Sequence, residues 1–328
     1  MLLIDRYGRV ATSLRISVTD RCNFRCRYCM PESGMQWMEK DELLGFEEIA
    51  RVVRVVAGLG ISKIRLTGGE PLMRKELGKL VCMIRGVEGI DDIALTTNGF
   101  FLKEQATALV DAGLNRINIS LDSIDPRVFA AVVRRDHFDR VWEGIEEVER
   151  LGLSPIKLNV VLMRGFNDDQ ILKFADLART RRFVVRFIEF MPIGSEDGWS
   201  LEKVVTAQEV IERISAHAPL MRLHLDGERA AAERYVFEDG TGEIGFISSV
   251  SEPFCSSCNR VRLTSDGKLR TCLFSLNETD LRSLLRGGAT DGEIADVLID
   301  AVWKKEEGHL INRPGFVRPD RTMSQIGG

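Results

Sequence analysis

Apolar residues follow two patterns that alternate along the first 190 residues: short runs in which apolar residues are adjacent or alternate with polar ones, and longer segments with apolar positions three and four apart. The short runs predict β-strands at residues 14–19, 63–67, 92–97, 116–121, 156–162 and 183–190. The longer segments predict helices between them: near 46–57, from about 75, near 102–110, across 126–133 and 137–151, and from about 168.

Strands that alternate with helices indicate a parallel sheet with helical crossovers. About six such units precede residue 200, so the predicted fold is α/β: an incomplete, TIM-like (β/α)6 barrel. We expect a barrel core at 1–222 and a C-terminal α+β region at 223–328. Distinctive polar segments directly follow several strands, and the carboxyl ends of parallel barrel strands form one face, where active sites lie.

Composition narrows the class of protein. The 328 residues are 44% hydrophobic and 29% charged, with a net charge of −4, so no overall basic surface for nucleic acid is expected. Asp5 interrupts the apolar residues at the start of the sequence, so no signal peptide is expected. The most apolar stretch contains Arg51 and Arg54, so no membrane span is expected. We therefore expect a cytoplasmic protein with no membrane or nucleic-acid partner.

Seven cysteines are unusual for a reducing compartment, where clustered cysteines more often bind metals than form disulfides. Cys82 stands alone in an apolar stretch and is predicted to be a small buried hydrophobe. The other six form two groups of three: Cys22, Cys26 and Cys29, and Cys255, Cys258 and Cys272.

Three closely spaced thiolates, as in Cys22-x3-Cys26-x2-Cys29, can hold three irons of a cubane and leave the fourth open to a ligand. The alternative is a structural zinc site, which usually needs a fourth cysteine or histidine nearby, and the sequence has none there. After the next predicted strand, Gly68-Gly69-Glu70-Pro71 offers glycines that let a ligand approach the backbone, and a carboxylate for an ammonium group.

These two motifs resemble those of the radical S-adenosylmethionine (SAM) superfamily, in which an aromatic residue, here Tyr28, precedes the third cysteine. The resemblance implies a 4Fe–4S cluster whose open iron is chelated by SAM. Reductive cleavage of SAM then gives a 5′-deoxyadenosyl radical. The implied SAM-binding residues are Tyr28, Gly69, Ser120 and Met191, although a capping role is the ordinary explanation for a lone serine.

The second group, Cys255-x2-Cys258-x13-Cys272, also lacks a fourth cysteine, and His309 is the remote candidate for completing a zinc site. A second cubane with an open iron explains three cysteines better. In a strand, Arg260 and Arg262 would share one face and suit an anionic ligand, whereas without the cysteines they would be taken as a solvated pair.

Long segments of the chain, including Lys63-Ile-Arg-Leu-Thr-Gly-Gly-Glu-Pro and the terminal Met323-Ser-Gln-Ile-Gly-Gly328, are similar to the GTP 3′,8-cyclase family of molybdenum cofactor biosynthesis. The resemblance implies two 4Fe–4S clusters, SAM, and attack of the GTP C3′ radical on C8 of the same guanine. It also implies that the second cluster binds the guanine edge. Residues implied to bind GTP are Arg15, Lys63, Arg65, Thr96, Lys157, Arg186, Arg260 and Arg262.

The same resemblance implies that the tail, Gly327 and Gly328, enters the active site, although a frayed terminus is the simpler interpretation from composition. The implied partners are a flavodoxin- or ferredoxin-like electron donor and the next enzyme, cyclic pyranopterin monophosphate synthase. We expect a monomer or homodimer. Two other functions stay open: a peptide-modifying radical SAM enzyme, and a zinc-stapled binding module without catalysis.

Overall fold

The computed structural model describes residues 1–193, 198–223 and 232–327. Its strands are β1 (Ser13–Ser17), β2 (Lys63–Thr67), β3 (Asp92–Thr97), β4 (Arg116–Ser120), β5 (Ile156–Leu162), β6 (Val184–Glu189), β7 (Leu220–Leu223), β8 (Glu233–Phe237), β9 (Glu243–Ile247), β10 (Arg260–Leu263), β11 (Lys268–Arg270) and β12 (Thr279–Asp280). Its helices are α1 (Phe46–Gly58), α2 (Leu77–Arg85), α3 (Leu102–Asp111), α4 (Pro126–Val133), α5 (Phe138–Arg150), α6 (Ile171–Arg181), α7 (Ala207–His217), α8 (Leu281–Arg286), α9 (Asp291–Trp303) and α10 (Met323–Ile326).

The strands form one sheet in the order β12-β11-β10-β1-β2-β3-β4-β5-β6-β9-β8-β7. Strands β1 to β6 are parallel neighbours, which confirms the predicted α/β partial barrel. The parallel part extends beyond these six, because β10 lies parallel to β1 and β9 lies parallel to β6. The second cysteine group is therefore attached to the same sheet as the first.

Helices α1 to α6 follow the strands and bury their apolar stripes against the sheet. In α5, for example, Val141, Ile145 and Val148 are fully buried, while the glutamates between them face outward. Helix α4 begins after Asp125, whose carboxylate accepts hydrogen bonds from the backbone N–H groups of Arg127 and Val128. In α4 the capping residue and the spacing of the buried residues Phe129, Val132 and Val133 agree, which explains why its predicted bounds match the structure.

The prediction for Cys82 was wrong, because this cysteine is exposed on α2. The buried positions of that helix are Leu77, Leu80, Val81 and Ile84, a spacing of three and four that forms one stripe. Cys82 follows Val81 directly, so its side chain is rotated about 100° away from the stripe. Apolar neighbours in the sequence therefore did not bury Cys82 in the structure.

After α9 the chain passes behind Cys255 and Cys258 and finishes in α10, with Gly327 beside Ser17 and Thr67 at the carboxyl ends of β1 and β2. The side chain of Ile326 is 1% exposed and packs with Ile193, Val204 and Phe274 in a second apolar cluster, separate from the main core. A capping box between Thr322 and Gln325 starts the last helix. The tail is thus packed rather than frayed up to Gly327. No described helix is long and apolar enough to cross a membrane.

Candidate active site

A cavity of about 750 Å³ runs along the inside of the sheet, from the loop of Cys22–Cys29 after the carboxyl end of β1 to Cys255 and Cys258, which precede β10 at the amino ends of the parallel strands. Every residue predicted to bind iron, SAM or GTP lines it: Arg15, Cys22, Cys26, Tyr28, Cys29, Lys63, Arg65, Gly69, Thr96, Ser120, Lys157, Arg186, Met191, Cys255, Cys258, Arg260, Arg262 and Cys272. Gly327 reaches the cavity wall, where its carbonyl oxygen accepts a hydrogen bond from Nη1 of Arg262. Gly328 lies outside the described residues.

The glycine pair after β2 holds the first cysteine loop in place. The backbone N–H of Gly69 donates to the carbonyl of Thr19 at 2.7 Å, and that of Glu70 donates to the carbonyl of Arg21 at 2.7 Å. A β-carbon on Gly69 would lie 2.4 Å from each of the Asp20 and Arg21 carbonyl oxygens. Only glycine permits this contact, so the pair brings two backbone segments together as well as lining the cavity.

Glu70 differs from the expectation that its carboxylate would receive the ammonium group of SAM. The residue is 0% exposed, and its carboxylate accepts hydrogen bonds from Thr97 Oγ1 at 2.7 Å, Asn98 N at 2.7 Å and Leu72 N at 3.0 Å. Burial raises the pKa of this carboxyl group to about 7. The side chain therefore ties the Gly-Gly turn to the end of β3, and three of the roughly four acceptor positions of its carboxylate are used within the protein.

The first cysteine group has the donor chemistry that an iron–sulfur cluster needs. Burial raises the pKa values of Cys22 and Cys29 to about 12, and that of Cys26 also rises. Bare thiolates are therefore unfavourable there, and cationic iron would stabilise them as ligands. Among the described residues, no three Cys, His, Asp or Glu side chains converge tightly enough to hold a single ion. Three soft sulfur donors on one loop fit the larger cubane.

The second cysteine group has a different electrostatic setting. Burial acts to raise the pKa of Cys258, but the positive charges of Arg260 and Lys305 outweigh it and bring the pKa down to about 7. Burial raises the pKa of Cys272. These three sulfur donors also line the cavity and fit a cluster. His309 lines the same cavity.

Basic side chains cover the cavity wall along β1, β2, β5 and β10. Burial first, and then repulsion from neighbouring arginines, lower the pKa values of Arg65 and Arg262 to about 9 and that of Lys157 to about 7. The same causes lower the pKa of Arg15. Cations that destabilise one another in this way form a site for a polyanion, whose charge would offset the repulsion.

Two polar atoms on the cavity wall have no hydrogen-bond partner among the described residues: Thr96 Oγ1 and Asn159 Oδ1. Thr96 was among the predicted substrate residues. Asn159 was missed, although it shares a face of β5 with Lys157, two positions away, and strand alternation could have indicated it. Buried polar atoms of this kind are usually completed by a ligand or water.

The hydroxyl of Tyr28 donates to Asp122 Oδ2 at 2.9 Å, and Asp122 Oδ1 accepts from the backbone N–H of Val161 at 2.9 Å. This chain of bonds links the first cysteine loop to the ends of β4 and β5. Burial raises the pKa of Asp122 to about 6. Tyr28 is thereby held on the cavity wall beside the first cysteine loop.

The fold and the three-cysteine loop define a radical SAM protein, and the chain matches the Radical SAM superfamily over residues 16–178 and the Molybdenum Cofactor Synthesis C family over 183–311. Streptococcus suis SuiB bound to S-adenosylmethionine shares the fold, with a TM-score of 0.62 and 14% identity, over 94% of this chain and 77% of that one. The chain belongs to the GTP 3′,8-cyclase family.

That membership rests on full-length relatives. The GTP 3′,8-cyclase of Streptomyces coelicolor is 46% identical over 100% of this chain and 96% of its own length. The one from Pelotomaculum thermopropionicum is 48% identical over 99% of both chains. A zinc-stapled binding module and a peptide-modifying enzyme are therefore set aside. The division at residues 222 and 223 stays a prediction.

Proposed function

We propose that this protein converts GTP into (8S)-3′,8-cyclo-7,8-dihydroguanosine 5′-triphosphate, the first step of molybdenum cofactor biosynthesis. One observation carries the proposal: two groups of three cysteines and a set of buried cations line the same cavity. A triphosphate nucleotide matches the cations, and a two-cluster radical reaction matches the cysteines. Membership of the GTP 3′,8-cyclase family supports both parts.

In this proposal the triphosphate lies against Arg15, Lys63, Arg65, Lys157 and Arg186, and the guanine end lies toward Arg260, Arg262 and the second cluster. Register supports the placement, because Arg15 pairs directly with Arg65 on one side and with Arg262 on the other. Guanidinium groups on adjacent parallel strands form a continuous row of donors. Such a row suits several phosphate groups in sequence.

The first cluster with bound SAM would supply a radical that takes the hydrogen atom from C3′ of the ribose. The chain's own part is to hold and enclose the reactants. We assign SAM to Tyr28, Gly69, Ser120 and Met191, with Cys22, Cys26 and Cys29 as cluster ligands. Residues from α10 cover the site, since Met323 and Ser324 also line the cavity. This cover would keep water and stray hydrogen donors away from a radical.

We further propose a cytoplasmic location, where reducing conditions keep the cysteines available for iron. The reaction needs electrons from outside, and we propose a flavodoxin- or ferredoxin-like donor. The product would pass to cyclic pyranopterin monophosphate synthase. The functional unit would be a monomer or a homodimer.

Substrate choice tests the proposal most directly. GTP is expected to bind much better than ATP or GMP to the anaerobically reconstituted protein, by equilibrium dialysis or calorimetry. Arg262→Ala should weaken GTP binding by about 1.5–3 kcal/mol, because a charge-assisted hydrogen bond is lost in a buried site. Arg150→Ala, which removes an exposed arginine on α5, is the control and should bind normally. Equal affinities for ATP and GTP would remove the guanine assignment.

The pKa of Lys157 gives a further expected result. Burial and neighbouring arginines lower it to about 7, so above pH 7 the free protein holds this amine mostly neutral. A bound triphosphate would raise the pKa again, so the complex takes up a proton and GTP affinity falls as the pH rises. Between pH 7.5 and 8.5 we expect about a tenfold loss for one linked proton.

Calorimetry in two buffers of different ionisation enthalpy measures that proton uptake. Lys157→Arg should bind GTP with a nearly flat profile in the same window, because the intrinsic pKa of arginine is higher than that of lysine and the side chain stays charged over this pH range. Arg65 and Arg262, whose pKa values lie at about 9, would add to the slope only at higher pH. Binding of GTP to the unaltered protein without proton uptake would contradict the role given to Lys157.

A further inference from the structure

Lys305 is a buried cation that the reaction described so far does not use. The residue is 4% exposed and lies just after the end of α9, where its backbone N–H donates to the carbonyl of Val302 at 3.0 Å. It is not among the residues that line the cavity, so it does not face the substrate. Within the described part of the chain, no carboxylate forms an ion pair with it.

The ammonium group of Lys305 points to the back of the second cysteine loop. Its Nζ donates to the carbonyl oxygen of Cys258 at 3.1 Å, the carbonyl oxygen of Arg260 at 2.8 Å and the sulfur of Cys258 at 3.5 Å. An ammonium group has three N–H donors, and these three acceptors satisfy all of them. A buried ammonium without a carboxylate is costly unless another negative group balances it.

A second buried cation supports the other end of the same loop. Arg9 donates from Nη1 to the carbonyl of Cys255 at 2.7 Å and to that of Glu307 at 2.6 Å. Gly308 packs so closely against Cys255 that an added β-carbon would lie 3.2 Å from the sulfur of Cys255. The segment 305–308 is thus the back wall of the loop that carries Cys255 and Cys258.

We infer that Lys305 is a positioning residue for the second cluster: it fixes the Cys258 thiolate and raises the reduction potential of the cluster through a hydrogen bond and the positive charge of its ammonium group. The inference rests on the proposed second cluster. Hydrogen bonds to ligand sulfurs and nearby charge are established controls of cluster potentials. Reduction adds negative charge to the cluster, so a nearby cation favours the reduced form.

The position of Lys305 outside the cavity distinguishes it from Arg260, which also lies near Cys258 but lines the cavity. A bound nucleotide, whose guanine end is placed toward Arg260, would change the surroundings of Arg260. It would leave Lys305 unaffected, because Lys305 contacts only the loop. The second cluster would then keep one cation at its ligand whether or not the substrate is present.

The test uses the full chain with Cys22, Cys26 and Cys29 changed to alanine, so that only the second cluster contributes to the signal. An EPR-monitored redox titration compares this background with the same background carrying Lys305→Met. At the potential where the parent is half reduced, K305M is expected to show at least a tenfold lower ratio of reduced to oxidised cluster. A tenfold change in that ratio equals about 59 mV for one electron.

Lys304→Met is the matched control. It removes the same charge one residue away, where the side chain is 68% exposed and paired with Asp300. K304M should leave the ratio unchanged, and an equal shift in K304M and K305M would overturn the inference, as would an unchanged ratio in K305M. Loss of iron in the full chain with all cysteines intact, by about half in K305M and not in K304M, would support it.

If K305M does not fold, K305Q takes its place in the titration, because glutamine keeps a polar donor for the backbone oxygens but carries no charge. An unchanged ratio in K305Q overturns the inference in that case. Failure of the proposed function would be distinguished from all these results. The parent background would then contain no iron and sulfide at Cys255, Cys258 and Cys272, before any change at Lys305.

Discussion

Changing Cys22, Cys26 and Cys29 together to alanine is expected to abolish SAM cleavage and to leave about half of the roughly eight irons that two 4Fe–4S clusters provide. These three cysteines are the proposed ligands of the first cluster, so their removal prevents that cluster from forming. The iron that would bind SAM is then absent. Iron and acid-labile sulfide are measured after anaerobic reconstitution, beside the yield of 5′-deoxyadenosine.

The chain should still fold after this change, because the Gly69 and Glu70 backbone bonds that anchor the loop involve no cysteine side chain. Cys82→Ala is the control, since that cysteine is exposed on α2 and outside the cavity, and it should retain full iron and full cleavage. A protein that holds zinc and no labile sulfide in both versions would refute the cluster assignment.

Much of the barrel could be predicted because local and long-range signals agree there. Strands β2, β3 and β5 have the predicted bounds, because each carries buried apolar residues alongside polar residues that face the cavity. The site residues were predictable for a related reason. Arg15, Arg65 and Lys157, which the family resemblance implied, lie within β1, β2 and β5, and alternation along neighbouring parallel strands places them on the cavity side of the sheet.

What could not be predicted depends on contacts between distant segments. Strand β9 joins β6 only after α7 and the antiparallel pair β7 and β8, and this interruption hides the strand-and-helix alternation in the sequence. Glu70 was expected to bind the ammonium group of a ligand. The three groups that donate hydrogen bonds to its carboxylate, at residues 72, 97 and 98, are not visible in a sequence motif. Lys305 is one of two adjacent lysines, and only the packing of α9 decides which one is buried.

Removing Gly327 and Gly328 is expected to stop formation of the cyclised nucleotide while SAM cleavage continues to some degree. The carbonyl of Gly327 is a partner of Arg262, a proposed GTP ligand, so the tail reaches the substrate side of the cavity. The cysteine loop and Gly69 are untouched by the deletion, and terminal residues usually contribute little to stability. Both clusters and the melting temperature should therefore stay nearly normal.

Gly327→Ala tests the same point within the full-length chain. The residue has a φ of 86°, and an added β-carbon would lie 2.9 Å from Thr67 Cγ2 and 3.0 Å from Ser17 Cβ. Displacing the tail by about 1 Å should lower product formation about 100-fold, the size of effect that misplacement of reacting groups produces. Product is measured by chromatography beside 5′-deoxyadenosine.

Gly315→Ala is the matched control for this substitution. Gly315 has the same φ of 86°, but an added β-carbon there would meet nothing within 4 Å. Any loss due to backbone strain alone would appear in both variants, whereas loss due to displacement of the tail would appear only in Gly327→Ala. If Gly327→Ala and the truncated chain both cyclise GTP at the full rate, the packed tail has only a structural role, and the hydrogen bond from Arg262 to Gly327 does not serve catalysis.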